Sequence, residues 1–175
     1  GLENAKADIF DSRAELVDAH TVKLTKTGET FTAERIVIAV GGTPNEHKAL
    51  PGHELTISSN EAFDLEELPK SILIAGGGYI AVEFANIFHG LGVETTLIYR
   101  GKEILSRFDQ DMRKGLHEAM EAKGIRIILE DIIEEVSKDG AGGFVARTKQ
   151  GASLHVGLVM LALGAEQLGD VIAFT

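Results

Sequence analysis

Three consecutive glycines near the middle of the chain are the residues whose spacing points first to chemistry. Gly76-Gly77-Gly78-Tyr79-Ile80-Ala81 has the form G-x-G-x-x-(G/A). Between a strand and a helix, Gly76 would make the tight turn and Gly78 would let the backbone approach a pyrophosphate. Ala81 would let helix and strand pack closely. The helix then offers free N–H groups and the positive end of its dipole to the phosphates. The same string can also close a turn that holds no ligand, so its surroundings decide. Ile72 to Ala75 is a short apolar strand before it, and Tyr79 to His89 after it is apolar on nearly every side, as a helix buried against a sheet is. A second strand, Thr95 to Tyr99, closes the unit within the roughly 30 residues that such a motif occupies.

The second cue lies about 20 residues past the glycines, where an Asp or Glu would bind the ribose 2′-hydroxyl of NAD. Here the strand ends Tyr99-Arg100, and Lys102 and Arg107 follow. Cations at this position fit a 2′-phosphate, so NADP(H) rather than NAD is the expected ligand. Glu103 sits among them, and a solvated surface turn partly neutralised by Glu103 is the competing reading.

The elements that must position these residues follow from the pattern. Residues 14–24 and 29–40 alternate or run apolar around Lys26-Thr-Gly-Glu29, which predicts a hairpin leading into a buried strand over 35–40. Pro44, Pro51, Gly52 and Pro69 punctuate residues 45–70, read as a crossing linker with a short helix opened by the capping box Ser58-Ser-Asn-Glu61. Asp109 is the expected N-cap of a helix over 110–123, with Met112, Leu116 and Met120 on one face and Gly124 as its stop. Ile125 to Leu129 is the third strand of a β-α-β-α-β run. Residues 131–138, 143–149 and 153–158 read as a three-stranded antiparallel meander, and Leu158 to Leu163 as a strand returning to the parallel sheet. The expected fold is therefore α/β: a Rossmann-like domain over 71–164, a β-rich segment over 1–44, and an atypical tail over 165–175.

Composition removes other classes. A net charge of −10 disfavours general nucleic-acid binding. The absence of cysteine excludes disulfides, thiolate metal sites and thiol redox chemistry carried by the chain itself. The N-terminal residues do not read as a secretory signal, and the longest apolar stretch, 157–165, is far short of the roughly 20 residues of a membrane span, so a cytoplasmic protein is expected. His20, His47, His53, His89, His117 and His155 have no metal-ligand spacing, and no serine sits in a nucleophile elbow. The acidic run Glu130-Asp131 and Glu134-Glu135 reads as the solvated part of a strand.

The stretches Ile74-Ala-Gly-Gly-Gly-Tyr-Ile-Ala-Val-Glu-Phe-Ala85 and Leu97-Ile-Tyr-Arg-Gly-Lys-Glu-Ile-Leu-Ser-Arg-Phe-Asp109 resemble the NADPH-binding domain of the glutathione reductase family of flavoprotein disulfide reductases. Ile36-Val-Ile-Ala-Val-Gly-Gly-Thr-Pro44, Ser59-Asn-Glu-Ala-Phe-Asp64 and Val159-Met-Leu-Ala-Leu-Gly164 resemble further family segments in the right order. The resemblance implies a hydride relay from NADPH to FAD, then to a cysteine pair and on to glutathione disulfide. Within it Gly76, Gly78 and Ala81 would hold the pyrophosphate. Tyr79 would gate the nicotinamide pocket, with Ile80 and Glu83 lining it. Arg100 and Arg107 would clamp the 2′-phosphate, and Gly164 would complete the cofactor-binding set. Many family members carry the second arginine at the place of Ser106. Without the resemblance, Tyr79 would read as a buried helix residue and Glu83 as its satisfied polar neighbour.

The family's FAD-binding turn, cysteine pair and interface domain are not found in these residues, and 1–44 resembles only the closing part of an FAD domain. The chain is therefore expected to be the middle of a longer reductase, inactive by itself, with FAD-domain and interface-domain segments as partners and a homodimer expected of the full-length enzyme. Where the family continues Arg-x-Pro-Asn after Gly164, this chain reads Ala165-Glu-Gln, and Leu168-Gly-Asp-Val171 only faintly resembles a later segment that touches FAD. A stand-alone NADP-binding module without redox chemistry is the alternative, as is a sister flavoprotein of the lipoamide dehydrogenase, mercuric reductase or trypanothione reductase type.

Overall fold

The computed structural model describes residues 3–45 and 47–167. The chain divides into two compact units, a smaller one up to Gly41 and a larger one over Gly42–Glu166. In the smaller unit β1 (Ala14–Leu16), β2 (Thr21–Leu24) and β3 (Thr30–Thr32) form an antiparallel meander. The expected Lys26–Glu29 turn closes its second hairpin, with Gly28 N–H donating to Leu24 C=O at 2.8 Å and Leu24 N–H to Glu29 C=O at 2.8 Å. The strand expected over 35–40 does not form. This stretch is irregular and Val37 is 85 % exposed, because a strand needs a neighbour to complete its ladder and no described segment pairs with it.

The larger unit begins with β4 (Gly42–Pro44), then the short helix α1 (Ser59–Phe63), β5 (Ser71–Ala75), α2 (Tyr79–Gly90), β6 (Glu94–Tyr99), α3 (Gln110–Lys123) and β7 (Arg126–Leu129). The meander β8 (Ile133–Lys138), β9 (Phe144–Thr148) and β10 (Ser153–Val156) follows, then β11 (Leu158–Leu161) and β12 (Ala165–Gln167), which pairs with β4. The central sheet is parallel in the order β11-β5-β6-β7. Alternation along β5 explains how one short strand serves two cores. Ile72 and Ile74 pack with Leu97, Phe84, Phe88 and Met120 on the helical face, while Leu73 and Ala75 pack with Ile98, Val159, Val136 and Ala146 on the meander face. A strand covered on both sides has no polar face to show, which is why its sequence runs apolar without a break.

Local signals set the helix ends. Ser58 caps α1 in a full capping box with Glu61. Asp109 accepts from the N–H groups of Asp111 and Met112 at the start of α3, and Gly124, at φ 104°, ends it. Met120 and Leu116 face the core as expected, but Met112, in the first turn of α3, is 70 % exposed and packs with neither core cluster. The linker is built into the larger unit: Ile57 bridges Met160 at the edge of β11, and Val136 N–H donates to Pro51 C=O at 2.9 Å. Asp131, expected at a solvated position, is buried. It accepts from the N–H groups of Ile132 at 2.8 Å and Gln150 at 3.1 Å, the second a partner 19 residues on that no local pattern announces. Residues 168–175, including the Leu168–Val171 segment, lie outside the described residues.

Candidate functional site at the switch point of the parallel sheet

The chain leaves β5 toward β6 on one side, while β11 lies on the other side of β5. The C-terminal ends of β5 and β11 therefore flank a topological switch point, the place where open α/β sheets form ligand crevices. The glycine turn stands there. Gly76 N–H donates to Ile98 C=O at 2.9 Å, and Ala162 N–H donates to Ala75 C=O at 2.7 Å. Gly76 has φ 146°, and a Cβ on it would lie 2.3 Å from Ala162 O and 3.1 Å from Ala81 Cβ, so the protein itself requires glycine. Gly78 differs. Its φ is −85°, and a Cβ there would meet nothing within 4 Å. The space above Gly78 is open, beside the N-terminus of α2, where no side chain caps the first turn. Backbone N–H groups with no internal partner beside open space are what an anionic group requires.

Ala81 is buried against the sheet, consistent with close helix packing. Ile80 is half-buried, whereas Tyr79 is 59 % exposed and Glu83, one turn on, is exposed with no side-chain partner among the described residues. The residue-by-residue expectation of a buried Tyr79 and a satisfied Glu83 is thus overturned. Gly164, at φ 126°, accepts from Asn45 N–H at 3.2 Å just beyond β11.

Arg100, Lys102 and Arg107 are exposed and make no ion pair among the described residues. Glu103 does not neutralise them, because its carboxylate is held 2.5 Å from His117 Nδ1 on α3. The segment carrying the cations is fixed to the glycine turn, with Leu105 N–H donating to Gly77 C=O at 2.6 Å. Sequence reasoning passed over Gly77, Tyr99 and Gly101. A Cβ on Gly77 would come within 2.4 Å of the Tyr99 ring, and one on Gly101 within 2.5 Å, so both glycines make room for that ring. The adjacent Gly-Gly-Gly and Tyr-Arg-Gly strings were the available signal.

A doubly covered parallel sheet with a glycine turn and an uncapped helix start at its switch point defines a Rossmann-like architecture. A family profile described as pyridine nucleotide-disulphide oxidoreductase matches residues 2–170, and the chain belongs to that family. It is 47 % identical over 138 residues to glutathione reductase from Nostoc sp., covering 78 % of this chain and 29 % of the relative. It is 42 % identical over 159 residues to trypanothione reductase from Leishmania donovani, covering 85 % of this chain and 32 % of the relative. Among solved structures it is similar to the HOCl-induced flavoprotein disulfide reductase RclA from Escherichia coli, with TM-score 0.71, 28 % identity, and 90 % of this chain and 36 % of that one covered. The chain thus spans about a third of the length of these relatives. Among the described residues no helix is long and apolar enough to cross a membrane.

Proposed function

We propose that this chain is the NADPH-binding part of a cytoplasmic flavoprotein disulfide reductase of the glutathione reductase type. The observation that carries the reading is the pairing of an open glycine turn at an uncapped helix N-terminus with three cations that follow the next strand and make no ion pair among the described residues. The first accommodates a pyrophosphate and the second a 2′-phosphate, and together they match one ligand. When bound, NADPH would supply a hydride to the family's FAD, which would pass the electron pair on to a disulfide.

The residues have separable tasks in this reading. Gly78 leaves room for the pyrophosphate, Gly76 and Ala81 hold the turn against β11 and the sheet, and the first N–H groups of α2 bind the phosphate oxygens. Arg100 supplies a planar fork for the 2′-phosphate, with Arg107 completing the clamp in place of an arginine at Ser106. Tyr79, presented to solvent one residue past the turn, covers the nicotinamide side, with Ile80 and Glu83 on the same helix start and Gly164 across the crevice. Residues 1–44 are then the closing part of an FAD domain, and 45–70 leads into the NADPH domain over 71–164. The chain has no cysteine, so in this reading the redox pair belongs to other segments of the enzyme, and this chain alone reduces no disulfide.

Calorimetric titration of the chain with NADPH and with NADH, at low and high salt, tests the reading. Tight, salt-sensitive NADPH binding with weak NADH binding is expected, because the 2′-phosphate meets exposed charges that salt screens. Equal affinities, or binding of neither, would refute it.

A further inference from the structure

The segment from Arg100 to Asp109 contains three cations and two carboxylates, yet no cation in it is paired among the described residues. Each carboxylate is engaged elsewhere. Asp109 is committed to the N-cap of α3. Glu103 is held by His117, whose Nδ1 lies 2.5 Å from Glu103 Oε1, an oxygen that also accepts from Ile104 N–H at 3.2 Å. A carboxylate only accepts, so Nδ1 carries the hydrogen and donates it. Nε2 of the same ring lies 3.6 Å from Glu121 Oε1, so His117 stands between two acids with its side chain only 15 % exposed.

The surrounding contacts keep Glu103 in place. Arg113, one turn before His117 on the same face of α3, donates from Nε to Ile104 C=O at 2.8 Å and from Nη2 to Glu103 C=O at 3.2 Å. Glu130 N–H donates to Gly101 C=O at 3.1 Å, and Leu105 is tied to Gly77. Leu105 adopts φ 53°, a conformation a leucine holds only where its neighbours dictate it. The backbone of the cation-bearing segment is therefore clamped from α3, from the end of β7 and from the glycine turn. Glu103, the acid that stands between the cations, is turned toward α3.

We infer that His117 is a specificity-determining positioning residue: by holding the Glu103 carboxylate against α3, it keeps Arg100, Lys102 and Arg107 uncompensated for a 2′-phosphate. The inference rests on the NADPH reading and deepens it. Without His117, the Ile104 N–H contact alone does not hold Glu103 against α3, and its carboxylate competes with the phosphate for the cations. The ligand class affected is a nucleotide with a 2′-phosphate, and one with a free 2′-hydroxyl is untouched.

The test is titration of the full 175-residue chain with NADPH and NADH in four forms: wild type, His117→Ala, Glu103→Gln, and the double variant. His117→Ala is expected to weaken NADPH roughly three- to tenfold with NADH nearly unchanged, and Glu103→Gln in that background is expected to restore NADPH affinity, since it removes the competing charge. A loss in His117→Ala that Glu103→Gln does not restore would mean that His117 merely supports the loop, and would overturn the inference. So would NADPH affinity unchanged in His117→Ala. Wild-type chain with no preference for NADPH overturns the NADPH reading and this inference together, so the two failures are told apart. If His117→Ala does not fold, His117→Phe fills the same space without a donor and carries the same expectations.

Discussion

Gly76→Ala and Gly78→Ala, two identical substitutions two residues apart, should fail in opposite ways. At Gly76 the new methyl group would sit 2.3 Å from Ala162 O and 3.1 Å from Ala81 Cβ, on a backbone with φ 146°. The backbone conformation costs about 1–3 kcal/mol for an alanine, and relieving the overlap costs about 1–3 kcal/mol more, since the close atom is a main-chain oxygen in the β11 end and cannot swing away. A total of about 2–6 kcal/mol in a domain of this size lowers Tm by roughly 5–20 °C. At Gly78 the methyl group meets nothing and φ is −85°, so only the small N-cap preference is lost, about 1 kcal/mol or less. Its effect should instead fall on NADPH, whose pyrophosphate needs the volume the methyl group takes, and affinity should drop more than about tenfold. Thermal melts followed by circular dichroism, paired with calorimetric titration of each variant, separate the two. A stable Gly76→Ala would refute the steric argument, and a Gly78→Ala chain that binds NADPH like wild type would refute the placement of the phosphates.

The remaining expectations concern charge and caps. Arg100→Glu should weaken NADPH roughly 10- to 100-fold and leave NADH little changed, and equal losses for both in a titration would remove Arg100 from the 2′-phosphate site. Burial pushes the Asp131 carboxyl up, but hydrogen bonds from Thr148, Ile132, Gln150 and Lys149 outweigh it and hold the group below the usual carboxylate range. A pKa depressed by folding gives stability that is present above the unfolded value, about 3.9, and is lost as pH falls through the lower folded value. Melting temperatures should therefore decline below about pH 4, and Asp131→Ala, at a cost of roughly 1–3 kcal/mol at neutral pH, should flatten that decline; an unchanged acid limb would show that Asp131 does not contribute. Ser58→Ala removes the hydroxyl half of the capping box and leaves the Ser58 N–H donating to Glu61, and it should cost about 1 kcal/mol, measured by urea denaturation; no change in midpoint would mean that this cap adds nothing to global stability.

What the sequence disclosed and what it hid divide along the distance between partners. The Ser58–Glu61 box, the Asp109 cap and the Gly124 stop act within one turn of chain, and each is found where the pattern puts it. The four parallel strands and the meander were legible because burial on one or two faces writes itself into local apolar runs. Val37, Ile38 and Val40 carry the same kind of run and form no strand, since a run states that a segment could be covered and not what covers it. Asp131 looked like one more solvated acid because its partners at Thr148 and Gln150 lie across a hairpin. The candidate site behaved alike. Gly76, Gly78 and Ala81 follow from a local turn, but the packing of Gly77 and Gly101 on Tyr99 and the capture of Glu103 by His117 join elements whose approach only the fold determines.

The pairing of β11 with β5 also has a consequence in time. Gly157 N–H donates to Ser71 Oγ at 2.9 Å, and these partners are 86 residues apart in the chain. Closing a loop of that length costs about 4 kcal/mol in chain entropy, whereas β5, α2, β6 and β7 associate through short connections. The strand that leads into Ala162 is therefore expected to join the sheet after β5, β6 and β7 have associated, as a contact of high sequence separation. On a ribosome the glycine turn emerges early and waits. A nascent chain that ends between Ala81 and Leu158 holds the entire G-x-G-x-x-A string but lacks the Ala162 carbonyl that Gly76 is fitted against.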